Sequence, residues 1–138
     1  MLSFIGFSRG YKFSKALESL NSMARVLVVE DDSFLAELIC ECLNLGAHDA
    51  MCAETGAEAM NLLGSEQFDV ILLDWQLPDM EGIDILRKYR EGSGSAKVVM
   101  LTGMRGKKDE ILELGADRFL AKPFRVEQVL EVMAEITA

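Results

Sequence analysis

The chain has 138 residues, of which 50% are hydrophobic, and 23 acidic against 14 basic residues leave a formal net charge of −9 at pH 7. This length is typical of one domain, and the hydrophobic fraction favours a packed core over a disordered chain. A net negative surface repels phosphate backbones and anionic lipids. It therefore disfavours direct electrostatic binding to nucleic acids or membranes and leaves a protein or a cation as the expected partner.

Residues 1–22 differ from the rest of the chain in charge. They carry three basic residues and one acidic residue, so positions 23–138 hold 11 basic and 22 acidic residues. The segment lacks the long apolar core and small-residue cleavage site of a signal peptide, and no apolar stretch reaches the roughly 20 residues that a membrane span needs. We interpret it as an N-terminal extension, disordered or helical, or as the result of an upstream start; a surface-binding helix is the alternative.

From residue 25 onward, short apolar runs of strand length alternate with longer segments of helical period. The runs are continuous, as in strands buried on both faces of a parallel sheet. The predicted strands are 26–29, 48–52, 70–73, 98–101 and 119–121, and the predicted helices are 33–45, 57–63, 83–89, 107–114 and 126–136. This alternation predicts an α/β fold with a doubly wound, five-stranded parallel sheet and right-handed crossovers.

Local signals mark several helix ends. Thr55 and Glu58 have the spacing of a capping box that opens the second helix. Gly46 and Gly115 follow the first and fourth predicted helices, where helix-ending glycines are common.

The cysteines show no metal-binding or disulfide pattern. Cys40, Cys42 and Cys52 are odd in number, form no CxxC pair and are accompanied by a single histidine, His48. We interpret all three as reduced packing residues, which fits a cytoplasmic protein.

Polar residues follow four of the five apolar runs. In open α/β sheets ligands bind beyond the carboxyl ends of the strands, so these side chains are expected to converge. Carboxylates brought together repel unless a cation lies among them, and Mg²⁺ is commonly held by a few carboxylates with water and phosphate. One aspartate at a strand end is more often a helix cap than a ligand, but four strand ends together favour a site. The residues are Glu30, Asp31 and Asp32, then Asp74, Thr102 and Lys122.

This set suits phosphoryl transfer to a carboxylate. A metal ion and a lysine neutralise charge on the transferred group, a hydroxyl holds one of its oxygens, and the aspartate attacks to give an acyl phosphate. No histidine or cysteine nucleophile is required.

Four segments carry a resemblance to a known family. They are residues 28–32 (VVEDD), 73–82 (LDWQLPDMEG), 101–103 (LTG) and 122–124 (KPF). In this order and spacing they resemble the receiver domain of two-component response regulators, and the resemblance covers nearly all of residues 23–138. It implies a flavodoxin-like, CheY-like sheet with strand order 2-1-3-4-5.

The resemblance implies a role for each acidic residue and for the backbone that follows the acceptor. It makes Asp74 the phosphoacceptor and a ligand of Mg²⁺. Asp31 binds the metal directly and Asp32 mainly through water, while the main-chain carbonyl of Gln76 supplies another ligand. Glu30 is expected to contribute to the electrostatic field rather than to ligation.

Four further residues are implied to bind or respond to the phosphoryl group. Lys122 contacts a phosphoryl oxygen, and Pro123 follows a cis peptide that aims the lysine inward. Thr102 bonds the phosphoryl group and moves the loop after the fourth strand. Phe119 occupies the family's switch-aromatic position, with ordinary strand packing as the alternative.

Three other positions bear on the chemistry and the output surface. Gln76 and Met104 lie where family members tune the attack of water on the acyl phosphate, although both side chains have solvated roles as the alternative. Trp75, beside the acceptor, is a candidate optical reporter of binding. The separation of 20 residues between Thr102 and Lys122 predicts a shortened loop or fourth helix and hence an atypical output surface.

The resemblance predicts a receiver, either stand-alone or a fragment of something longer, that takes a phosphoryl group from a sensor histidine kinase or a histidine phosphotransfer protein. It signals by a conformational change to a protein partner, as a monomer or weak dimer, and catalyses only its own phosphoryl transfer and slow dephosphorylation. One alternative is an aspartyl-phosphate phosphatase, which usually has a second acid where this chain has Gln76. The other is a phosphorylation-independent interaction module.

Overall fold

The structure is a computed structural model that describes residues 23–103 and 108–138. Within them, strands and helices alternate along the chain. The strands are β1 Arg25–Val29, β2 Asp49–Ala53, β3 Val70–Asp74, β4 Lys97–Thr102 and β5 Arg118–Ala121. The helices are α1 Ser33–Leu45, α2 Gly56–Ser65, α3 Gly82–Glu91, α4 Lys108–Glu113 and α5 Val126–Thr137. The predicted alternation is confirmed; the N-terminal extension and Met104 lie outside the described residues.

All neighbouring strands pair in parallel, in the order β2-β1-β3-β4-β5. This confirms the predicted doubly wound sheet. Two strands extend one residue beyond their apolar runs, so that Asp74 and Thr102 are the last residues of β3 and β4 rather than the first residues after them. The chemistry-bearing side chains therefore stand on the sheet itself, where the ladder of backbone hydrogen bonds holds their main chain.

Successive residues of each strand point to opposite sides of the sheet, and helices pack on both sides, so the sheet is buried on both faces. Leu27 and Val29 of β1 belong to the core cluster shared with α2, α3 and α4. Val26 and Val28 belong to the cluster shared with α1 and α5. No helix in residues 23–103 or 108–138 is long and apolar enough to cross a membrane.

The predicted helix ends are largely confirmed. The Thr55 hydroxyl accepts a hydrogen bond from the Glu58 N–H at 3.1 Å, but the Glu58 carboxylate accepts from the Glu54 N–H at 2.7 Å rather than from that of Thr55. Gly46 caps the end of α1. Gly115 follows α4 with φ +108°, in the region that favours glycine.

The structure contradicts the prediction for two cysteines. Cys40 on α1 and Cys52 on β2 form a disulfide, with Cα atoms 6.9 Å apart, whereas Cys42 is free. The pairing follows from the packing of α1 against β2, which residue spacing does not reveal. The prediction that all three cysteines are reduced is therefore wrong for this pair, and thiol chemistry no longer supports a reducing compartment.

Helix α4 is the shortest described helix, with six residues against 13 in α1 and 12 in α5. The shortened connection expected between Thr102 and Lys122 includes residues 104–107, which lie outside the described part of the chain, so it stays a prediction. The atypical output surface that follows from it stays a prediction.

Candidate functional site

Three carboxylates meet where β1 and β3 end at the carboxyl edge of the sheet. One oxygen each of Glu30, Asp31 and Asp74 lies within 4.8 Å of the others. Glu30 and Asp74 are buried, with 1% and 4% of their surface exposed, whereas Asp31 is exposed. An open pocket of about 450 Å³ adjoins this group and is lined by Asp31, Asp74, Trp75, Gln76, Thr102, Gly103 and Lys122. The four strand ends therefore converge as expected.

Lys122 brings the positive charge to this group. Its Nζ donates to Glu30 Oε1 at 2.8 Å and to Asp74 Oδ2 at 3.1 Å. The Lys122 N–H donates to the Thr102 carbonyl at 2.8 Å, which holds the backbone of Lys122 beside the end of β4. The peptide bond between Lys122 and Pro123 is cis. One ammonium group thus faces the carboxylates of β1 and β3 from the end of β5.

The burial of Glu30 gives it an unusual titration. Desolvation raises the pKa of Glu30 to about 7, against the opposing effects of the hydrogen bonds from Lys122 and from the Asp32 N–H. Burial alone would lower the pKa of Lys122, but its hydrogen bonds and charge interactions with Glu30 and Asp74 raise it overall. Lys122 therefore remains cationic at neutral pH, whereas Glu30 is close to half-protonated there.

The loop of residues 75–81, called the acceptor loop after the predicted acceptor Asp74, is bound to the sheet where it begins. The Gln76 N–H donates to Asp74 Oδ1 at 3.3 Å, so each Asp74 oxygen has a donor. The Trp75 N–H donates to the Leu101 carbonyl at 2.9 Å. Gly82 is required where α3 begins, because a side chain there would collide with the backbone of Asp74. These contacts hold the main chain of Gln76 next to the carboxylates.

Asp32 lies beside the carboxylate group rather than within it. Its Oδ1 accepts a hydrogen bond from the Leu35 N–H at 3.1 Å and thereby caps α1. The Asp32 N–H donates to Glu30 Oε2 at 3.1 Å. The cap accounts for one Asp32 oxygen, and its water-mediated metal role stays a prediction.

The remaining predicted residues surround the pocket at different depths. Thr102 is 1% exposed and Trp75 is 7% exposed, and both line the pocket. Phe119 is half-buried on β5 and packs against the core cluster on the α3 side of the sheet. Pro123 is exposed and lines a neighbouring cavity with Asp32.

Two acidic residues have larger parts in the site than the sequence indicated. Glu30 was expected to act through its field alone, yet both of its oxygens accept hydrogen bonds, from Lys122 and from Asp32. Asp79, in the loop after β3, reaches the start of α2 and accepts two backbone hydrogen bonds there. Its place after Pro78 indicates a turn, but no local pattern points to a partner more than 20 residues away.

The fold and the site together define a class: a CheY-like α/β protein with carboxylates, a hydroxyl and a lysine at the carboxyl edge of its sheet. The model of the response regulator receiver domain matches residues 26–134. The chain belongs to this family of two-component signalling proteins. Receiver domains are generally phosphoacceptors that bind Mg²⁺ at an acidic site, and the carboxylate group described above is consistent with such a site.

Known relatives agree with this assignment. The virulence transcriptional regulatory protein PhoP of Salmonella typhimurium is 36% identical over 113 residues, which cover 80% of this chain and 50% of PhoP. The chain spans about half the length of the curated relatives it matches. The receiver domain of Francisella response regulator 1452 superposes with a TM-score of 0.79 at 29% identity, covering 83% of this chain and 96% of that one.

A further solved structure is that of the response regulator TrrA from Thermotoga maritima in complex with Mg²⁺–BeF. It matches with a TM-score of 0.74 at 27% identity and covers 83% of this chain and 99% of that one. The Mg²⁺–BeF complex belongs to TrrA. It shows that a protein with this fold and related sequence binds the metal together with a fluoride of beryllium.

Proposed function

We propose that Asp74 accepts a phosphoryl group from a phosphohistidine, carried by a sensor histidine kinase or a histidine phosphotransfer protein. The observation that carries this proposal is the ammonium group of Lys122, 3.1 Å from Asp74 Oδ2 in a pocket that Thr102 and Asp31 also line. A carboxylate nucleophile, a cation and a hydroxyl that face one open volume are the groups that phosphoryl transfer to an aspartate needs.

The donors at this edge fit Mg²⁺. Asp31 and Asp74 offer carboxylate oxygens within 4.8 Å of each other, and the Gln76 carbonyl and water from the open pocket complete an oxygen set of the kind that Mg²⁺ takes. Glu30 is occupied by Lys122 and the Asp32 N–H, so it positions the lysine rather than binding the metal. When bound, Mg²⁺ neutralises charge that develops on the transferred group.

The transfer is a displacement at phosphorus. One Asp74 carboxylate oxygen forms a bond to phosphorus as the bond from phosphorus to the histidine nitrogen breaks, and that nitrogen leaves with the electron pair. Lys122 shifts from its contact with Asp74 to a phosphoryl oxygen, and the Thr102 hydroxyl donates to another. Both groups stabilise negative charge that is spread over the phosphoryl oxygens in the transition state.

The phosphoryl group then biases the domain between two conformers. Its new bonds with Thr102 and Lys122 favour one position of the end of β4 and of the aromatic ring of Phe119 on β5. A ligand shifts such an equilibrium only by its difference in affinity for the two states, and these bonds exist in the phosphorylated state alone. The conformer that the phosphoryl group favours passes the signal to a protein partner.

The test is to incubate the protein with a small phosphodonor such as phosphoramidate, with and without Mg²⁺, and to follow intact mass and Trp75 fluorescence. We expect one acid-labile phosphoryl group per chain that depends on Mg²⁺ and is absent in Asp74→Asn. Asp84→Asn is the matched control and takes up phosphate normally, because Asp84 pairs with Arg87 at the surface and does not line the pocket.

A second test of the same pocket is to add beryllofluoride with Mg²⁺ and to follow Trp75 fluorescence. No uptake and no Mg²⁺-dependent signal in the wild type would overturn the phosphoacceptor function and favour an interaction module. Continuous release of phosphate from phosphate monoesters would instead favour the phosphatase alternative.

A further inference from the structure

The carboxylate of Asp79 joins the loop after the acceptor to a different part of the chain. Asp79 Oδ1 accepts a hydrogen bond from the Gly56 N–H at 2.7 Å, and Oδ2 accepts one from the Ala57 N–H at 2.8 Å. Gly56 and Ala57 are the first two residues of α2. Because the first N–H groups of a helix have no partner within the helix, Asp79 caps α2 from outside its own segment.

Two side chains share the capping of α2. The Thr55 hydroxyl accepts from the Glu58 N–H at 3.1 Å, and the Thr55 carbonyl accepts from the Ala59 N–H at 3.0 Å. Thr55 is a local cap that contacts only its own helix through these bonds. Asp79 satisfies the two N–H groups that precede Glu58, and it alone of the two caps belongs to the acceptor loop.

The same loop carries the predicted carbonyl ligand of the metal. The Leu77 N–H donates to the Met80 carbonyl at 3.2 Å, and Gln76 forms an antiparallel bridge with Glu81. These contacts close residues 76–81 into a compact turn. A displacement of Asp79 therefore also displaces Gln76, because the backbone hydrogen bonds of this turn hold the two residues in one rigid unit.

Packing and charge reinforce this attachment. A side chain at position 56 would collide with Met80, so the loop lies directly on the backbone of Gly56. The hydrogen bonds from Gly56 and Ala57 lower the pKa of Asp79, which keeps the carboxylate anionic at neutral pH. A negative charge at a helix N-terminus is also stabilised by the helix dipole.

We propose that Asp79 is a positioning residue of the Mg²⁺ site. By capping α2 it holds residues 75–81 against that helix and thereby holds the Gln76 carbonyl beside Asp31 and Asp74. This inference rests on the proposed function, because it assigns a support to the site that the phosphoryl transfer uses. Both Asp79 oxygens are engaged by the N–H groups of α2, so the proposal gives Asp79 no direct contact with the metal or the phosphoryl group.

The experiment compares Asp79→Ala with Thr55→Ala in the full chain. Both changes remove a cap of α2, so we expect similar losses in Tm. Mg²⁺ titration followed by Trp75 fluorescence separates them: the Kd rises about tenfold in Asp79→Ala, as is typical when a group that orients a ligand is lost, and stays near the wild-type value in Thr55→Ala. Asp79→Asn keeps one acceptor oxygen and gives an intermediate Kd.

A second reading is made on the metal-free protein. Amide hydrogen exchange of residues 75–82 is faster in Asp79→Ala than in the wild type, and unchanged in Thr55→Ala, if Asp79 holds the loop. Equal Kd values for Asp79→Ala and the wild type, or equal effects of the two substitutions, would overturn the inference. Absence of any Mg²⁺ response in the wild type would overturn the proposed function as well, so the two failures are distinguishable.

Discussion

At both edges of the sheet a basic side chain ties neighbouring strands together, but the two edges differ in how completely the charges are satisfied. At the amino edge, where β4 and β5 begin, the Arg90 guanidinium donates to the carbonyls of Gly94 at 2.9 Å, Ala96 at 2.7 Å and Gly115 at 3.0 and 2.9 Å. It also pairs with Asp117 at 3.1 Å. All three nitrogens of this guanidinium thus donate to backbone carbonyls or to a carboxylate.

At the carboxyl edge, acid is left in excess. Lys122 pairs with Glu30 and Asp74, while Asp31 stays exposed within the same carboxylate group. Arginine's planar fork suits several fixed carbonyls, whereas the lysine ammonium is a compact charge whose partners can be exchanged. The paired charges of the amino edge stabilise the fold, whereas the excess negative charge of the carboxyl edge favours the binding of a cation.

The largest expected effect on stability comes from removing the Arg90 side chain at the amino edge. We expect Arg90→Ala to lower the free energy of unfolding by about 3 kcal/mol, because three partly buried carbonyls and Asp117 lose their donor. Urea denaturation followed by circular dichroism measures the loss. Mg²⁺ affinity, read from Trp75, stays within about twofold of the wild type because the two edges share no contact.

The matched control for Arg90 is on the same helix. Arg87 pairs with Asp84 at 3.1 Å, and both side chains are 48% exposed. We expect Arg87→Ala to cost no more than about 0.5 kcal/mol, since exposed pairs one helical turn apart contribute little. Equal losses in Arg87→Ala and Arg90→Ala would contradict the view that the amino edge is a structural centre.

The next effect removes the cation of the other edge. We expect Lys122→Ala to slow Mg²⁺-dependent phosphoryl uptake about 100-fold, or about 2.7 kcal/mol in the barrier, because a donor to the transferred group is lost. Its effect on the urea midpoint is smaller than that of Arg90→Ala, since Glu30 can hold a proton instead. Intact mass against time gives the rate.

Lys97→Ala is the control for that measurement. Lys97 is 56% exposed and lies 3.9 Å from Asp117 at the amino edge. We expect the Lys97→Ala variant to take up phosphate at the wild-type rate, because the charge of Lys122 acts only within the pocket. A comparable slowing in both variants would show that overall net charge, rather than the pocket, controls the uptake.

The smallest effect concerns the balance of protons at the carboxyl edge. The pKa of Glu30 is about 7 in the folded protein against an ordinary value of 4.5, so between these values the folded state holds a proton that the unfolded state has released. The stabilisation is complete below the ordinary pKa and is lost as the pH rises to about 7. In Mg²⁺-free buffer, we expect the wild type to lose up to about 2.5 kcal/mol relative to Glu30→Gln over that range.

Urea denaturation of both proteins between pH 4.5 and 7 checks this sign. A wild type that gained stability relative to Glu30→Gln as the pH rose would mean that Lys122, rather than burial, dominates the titration. Together with the two arginine variants, the result would show whether the buried carboxylates of the carboxyl edge destabilise the fold while the contacts of Arg90 at the amino edge stabilise it.

Much of the fold was predictable because its signals are local. The predicted helix 33–45 has the observed bounds, and the other described elements differ by one or two residues at an end. These differences arise where backbone pairing continues past the apolar run, as at Asp74 and Thr102. Side-chain chemistry alone does not indicate whether a polar residue ends a strand or follows it.

The candidate site was predictable in its members but not in their contacts. Asp31, Asp74, Thr102 and Lys122 line one pocket as expected. The hydrogen bond from Lys122 to Glu30, by contrast, joins residues 92 positions apart, one after β1 and the other after β5. A residue's neighbours across a sheet are set by strand order and register, to which the residues adjacent in sequence contribute little.

By itself the sequence determined the alternation of strands and helices, the parallel sheet, and which polar residues stand at its carboxyl edge. Hydrophobic period and strand-end position suffice for these, since both are properties of short segments. Only the tertiary structure decided the disulfide between Cys40 and Cys52, the cap that Asp79 places on α2, and the partners of Arg90. Each joins segments distant in the chain, and such contacts exist only once the helices are packed against the sheet.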